Sequence, residues 1–301
     1  MDIGHLLSFS LYEGLAYGFV AIGVYITFRV LSFPDLTVDG SFPLGGAVAA
    51  TLIVNEFNPW LATIAAMLAG VCAGLGTSLL NTKLRINALL SGILMMVALY
   101  SINLMIMGRA NISLLRKITI FDQFSRFTGI DSGLVLSIIF MLILMGITLA
   151  ALNWFLRTEI GLALRATGEN EQMVRGLGTD TNMTTILGVS ISNGLVALSG
   201  ALIAQNQGFA DAGMGIGMIV MGLASVIIGE GIFRPRGITS ILFAVVGGTF
   251  AYRLFLSIAL RLGLPPANLK LVTAILVIVA LAIPLIRKKL RNEWVPPAVR
   301  M

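Results

Sequence analysis

Long apolar runs recur along this chain with too little polar sequence between them to build a soluble core. Nine can be marked: Leu6 to Leu31, Ser41 to Val54, Trp60 to Leu80, Leu89 to Met107, Leu134 to Phe155, Met183 to Ala204, Gly213 to Gly229, Ile238 to Leu254 and Leu271 to Ile286. Crossing a bilayer core takes about 20 apolar residues in a helix. Backbone groups in lipid must be satisfied within the protein, so only helices and closed barrels span. The period-two alternation of barrel strands is missing. The expected fold is therefore all-α, a polytopic transmembrane helical bundle of about eight to ten membrane segments. Residues 1–301 form one transmembrane domain in this reading. The second run is short for a full crossing.

Composition excludes the soluble alternatives. Hydrophobic residues make up 57% of the 301 positions and charged residues 11%, against roughly 25% charge in a soluble domain. No polar stretch is long enough for a separate soluble domain, and no Gly-rich loop ending in Lys-Ser or Lys-Thr is present. Nucleotide hydrolysis must come from another chain, and no catalytic residue is assigned. One cysteine, Cys72, allows no intrachain disulfide, and one histidine, His5, allows no histidine cluster for a metal. No cofactor is expected in this chain. The N-terminal sequence lacks the basic stretch of a secretory signal, so the first run is expected to remain as a span.

The net charge of +6 has a membrane explanation, because Lys and Arg gather at span ends on the cytoplasmic side. With the N-terminus outside and each run crossing once, thirteen of the 20 Lys and Arg fall inside. These are Arg29, Lys83, Arg85, Arg157, Arg165, Arg175, Arg234, Arg236, Arg287, Lys288, Lys289, Arg291 and Arg300. The arrangement makes 287–301 a cytoplasmic tail, and no nucleic-acid partner is needed to account for the charge.

Small residues and lone polar residues mark the helix contacts. Gly14 with Gly18, and Gly70 with Gly74, are Gly-x-x-x-Gly pairs that let helix backbones approach. Glu13 lies in the outer part of the first run. An intramembrane acid is a functional suspect, with a paired interfacial carboxylate as the other reading. Asn193 sits within an apolar run, where its amide serves either a helix–helix hydrogen bond or a solute.

Three interruptions depart from plain lipid-facing helix. Ser32 to Pro43 contains Asp35, Asp39, Ser41, two prolines and a glycine, which break regular backbone. It reads as a half-helix lining a path, or as an inner loop capped by Asp39 or Ser41. Asp211 to Met218 is a second Gly-rich lead into a short apolar run. Paired interruptions of this kind point to two pseudo-repeated halves around a central pathway. The third, residues 157–182, holds too many charges to span. Within it Glu169 to Arg175 reads as a short helix with Asn170 as N-cap, ended by Gly176 or Gly178. Leu164, Met173, Val174 and Leu177 supply its apolar patch. Such a helix docks into a groove on a partner or rests at the membrane interface.

The run Arg165-Ala166-Thr167-Gly168-Glu169-Asn170-Glu171, continuing through Val174-Arg175-Gly176-Leu177-Gly178 to Ile186-Leu187-Gly188, resembles the cytoplasmic coupling region of the branched-chain amino-acid and ribose permeases of ABC importers. Gly14-Leu15-Ala16-Tyr17-Gly18 is similar to the opening helix of that family, and Ile227-Ile228-Gly229-Glu230-Gly231 to its late Gly-rich turn. Leu31 to Ser41 resembles a subgroup described as uptake permeases for amino acids, including aromatic ones. The resemblance implies a multi-pass protein of the bacterial inner membrane, importing a small amino-acid-like solute. It also implies a second permease chain in a homodimer, two cytoplasmic ATP-binding subunits and an extracytoplasmic solute-binding protein. On that basis Gly168, Glu169, Asn170, Glu171, Met173, Val174 and Arg175 are expected to contact the ATPase. Asp35, Asp39, Ser41, Asn193, Asn206 and Gln207 are expected along the pathway. An ion-coupled carrier working alone, also built from broken helices around a midplane site, is the rival.

Overall fold

A computed structural model describes residues 3–129, 133–263, 265, 268, 271–275 and 278. The ninth apolar run lies mostly outside the described residues, and the tail 287–301 wholly so. The other eight runs are all helices. They are α1 (Ile3–Val24, prolonged by a π-helical stretch Tyr25–Val30), α2 (Val38–Val54), α3 (Pro59–Thr82), α4 (Ala88–Met107), α6 (Leu134–Phe155), α9 (Thr181–Gln207), α10 (Met218–Phe233) and α11 (Ile238–Arg261). Six are long and apolar enough to cross a membrane, while α2 and α10 are shorter. At 1.5 Å per residue, 17 residues of α2 reach about 25 Å, short of a core about 30 Å thick.

Helix α1 is the central post. Phe19, Val20, Ala21 and Ile22 are fully buried, because α6, α9, α10 and α11 all pack around it. A helix apolar on every side belongs in the interior of a bundle. The closest partnership is α3 with α9. Gly70 lies against the Asn193 carbonyl and Ala197, and Gly74 against the Val189 carbonyl and Ser190. Both Gly-x-x-x-Gly pairs thus serve packing: a Cβ at Gly14 would stand 2.8 Å from Phe250 Cα of α11, and one at Gly18 2.8 Å from Met145 of α6.

These contacts sort the helix ends. Helices α3 and α9 are antiparallel, as are α1 and α11, where Ser10 Oγ donates to Ser257 Oγ at 2.9 Å. One end of the bundle carries α7 (Glu159–Glu169) and α8 (Glu171–Gly176) beside the end of α1 and the start of α9. The other carries two three-residue strands, β1 (Asn111–Ser113) and β2 (Phe209–Asp211), paired antiparallel with Ile112 opposite Ala210. It also carries the amphipathic helix α5 (Ile120–Thr128). Helix α5 opens with a capping box between Thr119 and Asp122 and sets Phe121 and Phe124 against Phe140 of α6. The ribbon and α5 were not anticipated from the sequence. Arg29, Lys83, Arg85, Arg157, Arg165, Arg175, Arg234 and Arg236 all fall at the α7–α8 end, as the charge pattern predicts.

Candidate functional site

The charged segment forms two helices where one was expected. Thr158 caps α7 by accepting from Gly161 N at 3.2 Å. Asn170 leaves the helical region (φ −155°) and caps α8, its Oδ1 accepting from Met173 N at 3.0 Å. Helix α8 ends at Gly176, and Gly178 takes a left-handed φ of 86°. A ring of charge-assisted bonds then stiffens the corner. Arg175 Nη2 donates to Glu171 Oε1 at 2.6 Å and its Nε to Thr181 Oγ1 at 2.6 Å, while Thr181 Oγ1 donates to Glu171 at 3.2 Å. Asp180 caps α9 through Asn182 N at 2.9 Å. A cavity of about 340 Å³ lies beside this ring, lined by Arg175 and residues 178–182.

The expected contact residues divide between surface and interior. Glu169, Asn170, Glu171, Met173 and Arg175 are exposed, with Met173 at 52% and the neighbouring Leu177 at 76%. Val174 is 3% exposed and Leu164 fully buried, so the anticipated apolar patch is split. Leu164 and Val174 face the bundle because α8 and the second half of α7 lie flat on α9. Ile160 and Leu162 of α7, 53% and 59% exposed, supply outward apolar surface in their place. Gly168 is a packing position: a Cβ there would strike the Val30 carbonyl at the end of α1. Thr167 Oγ1 and Thr184 Oγ1 share a hydrogen bond at 3.0 Å, fixing α7 to α9. Val174 is thus buried, and half-buried Gly168 packs against the end of α1.

Four expected pathway residues meet in the middle of the bundle. Asp35 is fully buried. Its Oδ1 accepts from Thr37 N at 2.9 Å and its Oδ2 from Asn193 Nδ2 at 2.7 Å. Ser41 Oγ donates to Asn193 Oδ1 at 2.7 Å, so one amide ties the broken stretch to α9. Thr37 and Thr77 hydroxyls bond at 2.7 Å, adding α3. Asp39 accepts from Gly217 N at 3.1 Å and Ile219 N at 2.9 Å. The two interrupted stretches thus meet, with α2 and α10 starting head to head at Asp39. Asn193 thus joins α9 to the stretch before α2 through hydrogen bonds with Asp35 and Ser41.

Asn206 and Gln207 belong elsewhere. Both are exposed at the ribbon end of α9, where the helix runs out of partners. The buried amide is their neighbour Gln205, 2% exposed, which accepts from Ile120 N at 3.0 Å and donates to Thr63 Oγ1 at 2.8 Å. It lies at four-residue steps from Asn193 through Ala197 and Ala201, on the face toward α3. Among the described residues no group of three His, Cys, Asp or Glu could hold a metal.

One further link was missed in the sequence. Arg29, in the π-helical end of α1, holds the Glu230 carboxylate of α10 with two hydrogen bonds, Nε to Oε1 at 3.0 Å and Nη2 to Oε2. The α7 contact at Val30 lies one residue away.

Broken helices meeting mid-bundle, with a charged two-helix segment stapled to one end, define a multi-pass membrane permease chain. Residues 6–281 match the family model described as branched-chain amino acid transport system / permease component. The chain belongs to this family, as a transport subunit of the inner membrane. A tyrosine transport system permease protein of Clostridioides difficile is 43% identical over 270 residues, 90% of this chain and 88% of the relative. An uncharacterized protein of Rickettsia prowazekii is 39% identical over 265 residues, 87% and 91% of the two chains. The ribose import permease protein of Escherichia coli is 28% identical over 199 residues, 65% and 60%. No solved structure matches.

Proposed function

We propose that this chain is the membrane-spanning subunit of an ATP-driven importer for an amino acid, working as a homodimer with two cytoplasmic ATP-binding subunits and an extracytoplasmic binding protein. The observation that carries the reading is the α7–α8 corner. It is rigid, exposes Met173 and Leu177 beside the Glu171–Arg175 pair, and is bolted to the ends of both α1 and α9. A partner that grips this corner moves two central helices at once. The surplus of basic residues at that end supports its cytoplasmic placement. The amino-acid assignment is supported by the relative named for tyrosine transport. A carrier working alone would have no use for an exposed apolar handle joined so firmly to its core.

The test is co-purification of the full chain with candidate ATP-binding subunits, followed by ATP hydrolysis and uptake in proteoliposomes. Glu171→Arg and Met173→Asp should each reduce subunit capture and coupled hydrolysis, by about tenfold if they sit at the centre of the contact. Normal capture, hydrolysis and uptake in both variants would remove the docking assignment.

A further inference from the structure

The two interruptions that meet at Asp39 are enclosed to different degrees. Leu31, Phe33, Asp35 and Thr37 of the first are buried, so protein surrounds that break. The second, 212–217, descends along α2 from the ribbon, with Met214 packed on Gly46 and Gly215 on the Asp39 carbonyl. Those contacts lie about 12 and 22 Å below the ribbon end of α2, at 1.5 Å per residue along its axis, well within a hydrocarbon core about 30 Å thick. The segment is not helical. Turn bonds hold it, Met214 N donating to the Asp211 carbonyl at 3.2 Å, Ile216 N to that of Gly213 at 3.2 Å and Met218 N to that of Gly215 at 3.1 Å. Gly213 and Gly217 are half-buried, and what a glycine exposes is backbone. Ile216 is 65% exposed, and a Cβ at Gly217 would meet nothing within 4 Å.

Irregular backbone at membrane depth occurs where protein covers it or water reaches it, and not against lipid. Helix α10 is open on the same side. Helices α11 and α1 pack on its other faces, with Gly229 against the Ala244 carbonyl and Gly222 against Val24. Val220 is exposed, while Leu223 and Ile227 are half-buried. Ile216, Val220, Leu223 and Ile227 thus form an open stripe at helical spacing, running from the irregular segment toward the α7–α8 end. Lipid suits the stripe but not the segment above it. A partner covering both must offer an apolar stripe low down and polar or wetted groups higher up. A second copy of this chain, turned about a two-fold axis parallel to the helices, offers both at matching depth, because such a rotation leaves depth unchanged.

We infer that the flank built from 213–217 and the open stripe of α10 faces a second copy of this chain. The two stripes meet, and a water-filled cleft separates the two irregular segments and opens at the ribbon end. The assignment rests on the homodimer reading and selects this face over the exposed, unbroken apolar face of α6.

The test uses single cysteines in a Cys72→Ser background, in the full chain assembled with its ATP-binding subunits in sealed vesicles. Ile216→Cys probes the cleft, Val220→Cys and Ile227→Cys the seam, and Ile147→Cys, 61% exposed on α6, the lipid-facing control. Maleimides react with the thiolate, which forms where water reaches the sulfur. A membrane-impermeant maleimide added on the ribbon side should label Ile216→Cys at least about tenfold faster than Ile147→Cys. A short bifunctional maleimide should join copies through Val220→Cys or Ile227→Cys and not through Ile147→Cys, with thermal unfolding recorded to confirm folded protein. Labelling of Ile216→Cys no faster than that of Ile147→Cys would remove the cleft. Joining through Ile147→Cys alone, or through none of the three, would remove the seam. Native mass spectrometry of the complex tests the homodimer reading separately. Two copies present without a joined seam overturn this face alone, whereas a single copy per complex overturns the homodimer and the face with it.

Discussion

Arg29 grips Glu230 at two points, joining the last turn of α1 to the last turn of α10 at the end of the bundle where α7 and α8 sit. Gly168 presses on the Val30 carbonyl one residue away. A displacement of α7 therefore reaches α10 through two contacts, and α10 begins at Asp39 in mid-bundle. The π-helical stretch Tyr25–Val30 sits at this junction, and such stretches in otherwise α-helical segments often occur at functional sites.

The Arg29 side chain is 59% exposed and that of Glu230 24%, so the pair should add little to stability, at most about 1 kcal/mol. Glu230→Gln should leave thermal unfolding almost unchanged but lower the number of solute molecules moved per ATP hydrolysed. Arg29→Glu with Glu230→Arg should restore that ratio. Equal loss of uptake and hydrolysis in the single variant, with no rescue in the swap, would show that the link carries no signal.

Replacing Gly168 by Val should be more severe than its half-buried position implies. The new Cβ would meet the Val30 carbonyl, and the backbones of α1 and α7 would have to separate. Overpacking of this kind costs about 1–3 kcal/mol. The expected result is a lower unfolding temperature together with hydrolysis uncoupled from uptake. Gly146→Ala, on an exposed face of α6 where a new Cβ meets nothing within 4 Å, is the control and should show neither change.

Among the described residues Asn193 is the sole amide serving both Asp35 and Ser41, and its removal leaves a buried carboxylate short of a partner. Asn193→Leu should destabilise by about 1–3 kcal/mol, the cost of stranding a buried polar group. Interhelical hydrogen bonds in membranes average nearer 0.6 kcal/mol, so a loss above that value would show that the desolvated Asp35 dominates. Asn193→Leu combined with Asp35→Asn should recover part of the loss. Chemical or thermal denaturation in a mild detergent reads both.

The long helices were legible because their runs are long and uninterrupted: α6 occupies Leu134 to Phe155, the predicted span to the residue. The Asn170 cap was legible for a local reason, a short polar side chain placed before acids and apolar residues. Helix α7 was not, since its buried face consists of Gly161, Leu164 and Thr167, too small to stand out among charges. Gln205 does not stand out from Asn206 and Gln207 in the sequence, because three amides in succession look alike until the facing helix is known. Thr63 and Ile120, which claim Gln205, are 142 and 85 residues away in sequence. The Arg29–Glu230 pair spans 201 residues. What the sequence hid was the choice among equivalent polar residues made by distant neighbours.

Asp39 tests whether the head-to-head meeting of α2 and α10 matters for transport. Its two oxygens take the Gly217 and Ile219 N–H groups at the start of α10, where unpaired donors and the helix dipole favour a negative charge. It also lies in the first turn of its own helix, so one carboxylate neutralises two helix starts inside the bundle, where water is scarce. Asp39→Asn keeps the shape and one acceptor but replaces the second with a donor facing an N–H. Asp39→Ala removes both acceptors. Loss of stability should therefore rise from Asn to Ala, the latter by about 1–3 kcal/mol per donor left unpaired. Hydrogen exchange resolves the effect locally: amides at Gly217 and Ile219 should exchange faster in Asp39→Ala, while those of α6 keep their protection. Uniform loss of protection across α6 and α10 would mean that Asp39 supports the whole bundle and that α10 has no independent movement for the coupling end to drive.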